Sequence, residues 1–292
     1  MKRRSVEGTH RFIHQVAEQF GIFDLGGLLL DQDWNFTTAV EAFELEPEEQ
    51  KFSLPYLLSS QGLEAAMCMD GVLAQKLGVP FYIITHVKHT PEIQIHHWAF
   101  DPQIGKLRYL DMHNVSEDDF IHWWQTRKKT TQTKLYRKDL QQRARDSYFD
   151  NLLEDHGLKW GGNIDGFLVT GNGKDCDVAA IIENRVTNKV PIARYDPNAF
   201  FSGYGTGDYN TWLPLVNLKN QLQIPLLLMT YSNRDRELDL TGIAQVLDVS
   251  RRGLTYLPDG NGRPIRPCDN ILRSFPDIRQ WLSQHVFDEP LY

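Results

Sequence analysis

Two acidic residues sit inside runs that otherwise read as apolar β-strands: Asp165 in NIDGFLV and Glu183 in AAIIENR. A carboxylate buried without a partner is costly, so each needs a counter-charge or a task. Between the runs lies GNGKD (Gly171 to Asp175), made of turn formers, and the flanking runs should pair as an antiparallel hairpin. Setting Thr170 against Asp177 sets Asp165 against Ile182, one residue from Glu183. A bulge or a slightly longer loop then brings the two acids directly opposite. Alternation puts Ala179, Ile181, Glu183 and Arg185 on one face. The product is two carboxylates and one cation at one end of a hairpin. That donor set suits a hard divalent cation, which takes a few carboxylates plus waters and phosphate oxygens. The alternative is an ordinary hairpin whose acids form an ion-pair network with Arg185.

The order of elements around these residues is a helix, a strand with Asp, a turn, a strand with Glu-x-basic, a second helix, and an apolar strand after a proline. It resembles the PD-(D/E)XK nuclease superfamily, the restriction-endonuclease-like fold. Asp165 and Glu183-Asn184-Arg185 carry the likeness, with NTWLPLVNLKNQLQIPLLLMTY as the following helix and strand, over about half the chain. The resemblance implies that Asp165 and Glu183 hold Mg2+ or Mn2+ and that the reaction is hydrolysis of phosphodiester bonds in DNA or RNA. It also implies help from an acid on the preceding helix, Glu154 or Asp155, and from Gln221 on the following one. The family motif ends in Lys, where this chain has Arg185. Lysine can lose a proton and position a water, whereas arginine stays protonated and only donates. A nuclease-fold protein without activity, binding nucleic acid or a protein partner as a subunit, is the second expectation.

These residues need a scaffold. The chain of 292 residues is long enough for one large domain or two ordinary ones, and 41% apolar with 24% charged residues is a globular composition. No apolar run has the length of a membrane span. MKRRSVEGTH lacks the apolar segment of a secretory signal. Cys68, Cys176 and Cys268 are odd in number and far apart, which fits a reducing compartment. The expectation is a cytoplasmic protein with no membrane association. The net charge of −7 argues against a surface coated for nucleic acid. One cationic block interrupts it: residues 127–145, RKKTTQTKLYRKDLQQRAR, hold eight basic residues and one acid. Arg127, Lys128, Lys129, Lys134, Arg137 and Lys138 are its candidates for phosphate contacts. A solvated helix face is the alternative. A long aromatic loop after the hairpin, with Tyr195, Phe200, Phe201 and Tyr204, offers rings that can stack on bases or pack the loop down.

Taken in order, residues 1–20 read as an amphipathic helix on Phe12, Ile13, Val16, Ala17 and Phe20. GIFDLGGLLLDQDW and TTAVEAFEL read as two strands, PEEQK as a loop, and Gly62 to Leu77 as a helix capped by Gly78. PFYIITH is a strand, IQIHHWAF and KLRYLDM a hairpin, and Ser116 caps a helix through Phe120, Trp123 and Trp124. The tail reads as a short helix from Ile243 to Leu247, a basic VSRRGLTYL segment, a DGNGRP turn and a final helix, SFPDIRQWLSQHV. LAQKLGVPFYIITH aligns without a gap on LKNQLQIPLLLMTY, and FDLGG with AVEAFELE echoes the site hairpin. Asp24 and Glu44 become the counterparts of Asp165 and Glu183, with Glu46 where a cation is needed. A duplicated fold with a degenerate first copy stands beside the plainer reading that helix-Pro-strand units recur in any α/β protein. The fold class expected is α/β, a mixed central sheet flanked by helices, restriction-endonuclease-like in the C-terminal half. Residues 1–126 form an N-terminal α/β domain and 127–292 a nuclease-like domain opening on the basic helix. A homodimer or a protein partner accompanies the expected nucleic acid.

Other chemistries fit less well. Six of the ten histidines lie between His86 and His122, but their spacings match no zinc pattern. Adjacent His96 and His97 must point to opposite faces of a strand. A glycosidase also uses two carboxylates, but its sites usually sit on larger barrels. No phosphate-binding P-loop, dinucleotide fingerprint or Gly-x-Ser-x-Gly elbow is present.

Overall fold

The computed structural model describes residues 1–4, 22–128, 147–171, 173–201 and 207–287. The chain gathers into two compact units. The first comprises Met1–Val6, Asp24–Ile164 and Gly171–Cys176; the second comprises Glu7–Phe23, Asp165–Thr170 and Asp177–Tyr292. Each unit is an α/β layer structure with a mixed sheet flanked by helices.

In the first unit, β1 (Lys2–Arg3) pairs with β3 (Phe36–Leu45), which also pairs antiparallel with β2 (Ile22–Leu30). The amphipathic helix expected over residues 1–20 therefore does not begin at the first residue; the rest of it lies outside the described residues. The β2–β3 turn is locked by Asp31, whose Oδ1 accepts the N–H groups of Asp33 and Asn35 at 2.9 Å, the local bonding that suits Asp to turns. PEEQK forms a single 3-10 turn. A crossover through α1 (Leu54–Ser60) and α2 (Glu64–Leu77) then returns the chain to β4 (Phe81–Val87), parallel to β3. Gly78, at φ 69°, supplies the left-handed residue that ends α2. β5 (Ile93–Asp101) and β6 (Lys106–Val115) continue antiparallel. Ser116 caps α3 (Glu117–Arg127) by accepting the Asp119 N–H, and Ser147 caps α4 (Tyr148–Asp155) the same way through Asp150.

One sheet face in this unit, with Leu29, Val40, Ala42, Ile84 and Ile95, is sealed by Phe120, Trp124, Phe149, Leu153 and Trp160. The expectation that the helix before the hairpin opens the second half is thereby corrected. The strongly apolar side of α4 completes the first unit's core, and Arg4 ties the helix down through Asp150 at 2.9 Å.

β7 (Gly162–Thr170), of which Asp165–Thr170 belongs to the second unit, and β8 (Asp177–Thr187) of that unit form the expected antiparallel hairpin. α5 (Gly207–Leu222) leads to β9 (Leu226–Ser232), parallel to β8. β10 (Thr241–Ser250) and β11 (Gly253–Tyr256) follow antiparallel, and the short β12 (Ile271–Leu272) pairs on β10. α6 (Phe275–Leu282), capped by Ser274, covers the face carrying Leu168, Ala180, Ile182, Leu227, Met229 and Ile243.

The helix expected from Ile243 to Leu247 is instead the middle of β10. Ile243, Ala244 and Val246 are all buried between neighbouring strands. A strand buried on both faces carries a continuous apolar run that periodicity alone does not separate from a helix.

The two units repeat one pairing sequence. Along β2-β3-β4-β5-β6 and along β7-β8-β9-β10-β11, successive neighbours are antiparallel, parallel, antiparallel and antiparallel, with the helical crossover at the one parallel step.

Candidate functional site

The hairpin starts from Thr170 opposite Asp177 and Val169 opposite Val178. It then skips a residue, so that Leu168 faces Ala180, Phe167 faces Ile181 and Gly166 faces Ile182. Ala179 is the extra residue of a β-bulge. It packs against the cluster under α6 rather than sharing the face of Ile181. One more step of the shifted register sets Asp165 across from Glu183. The bulge thus does what the turn alone left open.

Both carboxylates are nearly buried, Asp165 5% and Glu183 7% exposed. Asp165 Oδ2 accepts the backbone N–H of Asn184 at 3.0 Å. Such a charge-assisted bond is among the stronger ones a carboxylate can make. Glu183 Oε1 lies 3.2 Å from Arg185 Nη2. Despite that ion pair, Arg185 Nη2 is buried and makes no aligned hydrogen bond. The guanidinium lies over the ring of Trp212 on α5, 5.6 Å from its centroid. On the opposite face, Asn184 Oδ1 accepts from the Tyr231 hydroxyl at 3.2 Å. Burial, reinforced by the charge of Asp165, pushes that phenol far above its ordinary range and keeps it a donor. Trp212 and Tyr231 had no signal of their own in the sequence beyond an apolar face.

The supporting residues fall differently. Glu154 and Asp155 belong to α4 in the first unit, and Gln221 is exposed on α5. Of the basic block, Lys129, Lys134, Arg137 and Lys138 lie outside the described residues. Arg127 is stacked on Trp123, 4.1 Å from the ring centroid, and bonded to the Trp123 carbonyl. Lys128 donates to the carbonyls of Lys159 and Trp160 at 2.6 and 2.7 Å, and burial pulls its ammonium down to about 8. Both are used within the first unit. Tyr195 and Phe201 of the aromatic loop are buried, packing the loop down rather than displaying stacking rings. Tyr204 lies outside the described residues.

Among the described residues, no three His, Cys, Asp or Glu side chains have the arrangement of a metal shell. His97 and His113 flank Asp111 at 3.5 and 3.4 Å on an exposed edge, while His96 is buried on the other face as the strand requires. Nor, among the described residues, is any helix long and apolar enough to cross a membrane.

The first unit carries an acidic cluster at a different position from the one expected. The aligned β4 and β9 segments set Ile83 against Leu228; Ile83 pairs with Glu41, and Leu228 with Glu183. Glu41, not Glu44, is therefore the register counterpart of Glu183. Continuing the β2–β3 register puts Gly26, not Asp24, across from Glu41. Asp24 stands two residues along on the same face. Glu44 points to the other face and accepts the Tyr148 N–H at 2.9 Å.

The chain matches no family model, and comparison with curated proteins gives no significant match.

Proposed function

We propose that the second unit is a metal-dependent phosphodiesterase acting on DNA or RNA, with Asp165, Glu183 and Arg185 at its centre. The observation that supports this most is the buried Arg185 Nη2, a donor without an aligned acceptor beside two buried carboxylates. An unsatisfied buried N–H costs about 1–3 kcal/mol, and a phosphate oxygen would remove that cost. The carboxylates supply the hard oxygen donors that Mg2+ or Mn2+ prefers. Such an ion, when bound, supplies charge neutralisation and a more acidic water. Arg185 donates to the phosphate and steadies charge developing there. Because it keeps its proton, it takes none from the attacking water. Trp212 holds the guanidinium plane.

A second reading is a nuclease fold without activity, serving as a subunit that binds nucleic acid or a partner. It draws on the Glu183–Arg185 ion pair, which occupies a carboxylate oxygen that a metal would need. Incubating the protein with plasmid, single-stranded DNA and RNA in Mg2+, Mn2+ or EDTA, beside Glu183→Gln, separates the two. Metal-dependent cutting lost in the variant supports the enzyme. Salt-dependent binding with no cutting supports the subunit, and the absence of both cutting and binding would remove any phosphodiester role.

The shared order of pairing, the gap-free alignment of the two helix-Pro-strand segments, and Glu41 in register with Glu183 support reading the units as copies of one ancestral restriction-endonuclease-like unit.

A further inference from the structure

A cleft of about 940 Å³ opens in the second unit between β10, the DGNGRP arm that follows β11, and the end of α6. Small-molecule sites run from roughly 300 to 1,000 Å³. None of its described lining residues belongs to β7, β8 or α5, so it is separate from Asp165, Glu183 and Arg185.

The arm is held by its own chemistry. The Leu257 N–H donates to the Gln245 carbonyl at 2.9 Å, and the Ile265 N–H returns to the Leu257 carbonyl at 3.0 Å. Pro258 bridges to Pro264, and each proline ring fixes its own φ. At the tip, Asp259 Oδ1 accepts the N–H groups of Asn261 and Arg263, both at 2.9 Å. That carboxylate is thereby engaged in the turn. The exposed Arg263 guanidinium lines the cleft and forms no ion pair or hydrogen bond among the described residues. Arg266 forks onto Asp269 through Nε at 2.9 Å and Nη2 at 3.2 Å, which leaves Nη1 without a partner among the described residues.

The cleft is also lined by a slab of two rings. Trp281 and His285 are stacked with centroids 4.3 Å apart and planes 9° from parallel. His285 Nδ1 lies 2.8 Å from the Trp281 carbonyl. A carbonyl only accepts, so Nδ1 carries a hydrogen and Nε2 is left for a ligand. Gln245, half-buried on β10, adds a side-chain amide that makes no hydrogen bond among the described residues.

We propose that this cleft binds a nucleoside monophosphate, with the base against the Trp281–His285 slab and the phosphate on Arg263 and the open edge of Arg266. Aromatic faces accept any base, guanidinium groups pair with phosphate through parallel N–H bonds, and the Gln245 amide offers a donor and an acceptor to a base edge. The rings alone would fit any planar ligand and the arginines any anion; together in one cleft they select a ligand that has both. The inference does not need the second unit to cut phosphodiesters.

Calorimetry on the full chain in EDTA, with AMP, adenosine and inorganic phosphate as probes, tests it. AMP should bind at least about 10-fold more tightly than adenosine or phosphate, since each of those engages only one part of the cleft. Arg263→Gln removes an exposed, unpaired guanidinium; it should weaken AMP about 10-fold and leave the thermal melt unchanged. Trp281→Leu should also weaken AMP about 10-fold, with its melt recorded because the indole packs against the core under α6. Arg185→Ala, in the other site, should leave AMP affinity as it was. No AMP binding at millimolar concentration, phosphate bound as tightly as AMP, or affinity lost in Arg185→Ala but kept in Arg263→Gln would each overturn the proposal. So would a short single-stranded oligonucleotide that binds more tightly than AMP and loses that affinity in Arg263→Gln, which would assign the cleft to a strand instead of a free nucleotide.

Discussion

Asp165 accepts the backbone N–H of Asn184, so the first acid of the pair is fastened to the strand that carries the second, Glu183. The bond needs only an oxygen at that point. Asp165→Asn keeps an oxygen acceptor while removing the charge. Under the proposed phosphodiesterase function, the expected outcome is a melting temperature within a few degrees of the parent, with cutting reduced by about 10²-fold or more, the scale seen when a charge-stabilising group is lost from an active site. Parallel melts and cleavage rates check it, and a variant that cuts normally would remove Asp165 from the chemistry.

Arg185 is the donor that faces the carboxylates, and Trp212 is its platform. Arg185→Ala should abolish cutting together with much of the phosphate affinity. Arg185→Lys should retain part of both and introduce an alkaline dependence, since only lysine titrates there. Trp212→Leu should weaken substrate binding by about 0.5–2 kcal/mol through the lost cation–π contact. Rates measured across pH for the three variants test this. Equal behaviour of Lys and Ala at this position would count against a donor role.

His96 is buried beside Thr85, with Nε2 3.3 Å from the Thr85 hydroxyl, and burial pulls its imidazole from 6.5 to about 4. The folded protein therefore resists a proton that the unfolded chain binds below about 6.5. Stability from this residue is complete above that pH and is lost as the pH falls toward 4. His86 is lowered too, by burial first, and adds in the same direction. The loss from His96 is on the order of 3 kcal/mol across the window. Urea unfolding at pH 7 and pH 4.5 should show a smaller acid penalty in His96→Gln than in the parent; an unchanged penalty would contradict it.

Gly242 on β10 sits where a Cβ would lie 2.6 Å from the Pro267 carbonyl and 2.5 Å from Thr230 Oγ1. The first of these is backbone and does not swing away. Gly242→Ala should cost about 1–3 kcal/mol by overpacking, read in chemical denaturation, while Gly260→Ala, with nothing near its added Cβ, should be close to neutral.

Much of this arrangement was legible in the chain. GNGKD dictated the hairpin, the alternation of AAIIENR put Glu183 and Arg185 on one face, and the Ser116 cap and the Gly78 stop are short-range chemistry that a sequence displays directly. What tertiary structure alone decided were matters of single residues and of allegiance. The bulge at Ala179 moved Asp165 from Ile182 to Glu183. The register of β3 on β4 chose Glu41 over Glu44. The core of the first unit claimed α4, and burial on both faces made a strand of Ile243 to Leu247. Strand register and bulges are fixed by which faces find a core, and a one-residue slip exchanges every side chain between faces. Local sequence carries the period of two, but only packing against distant strands and helices selects its phase.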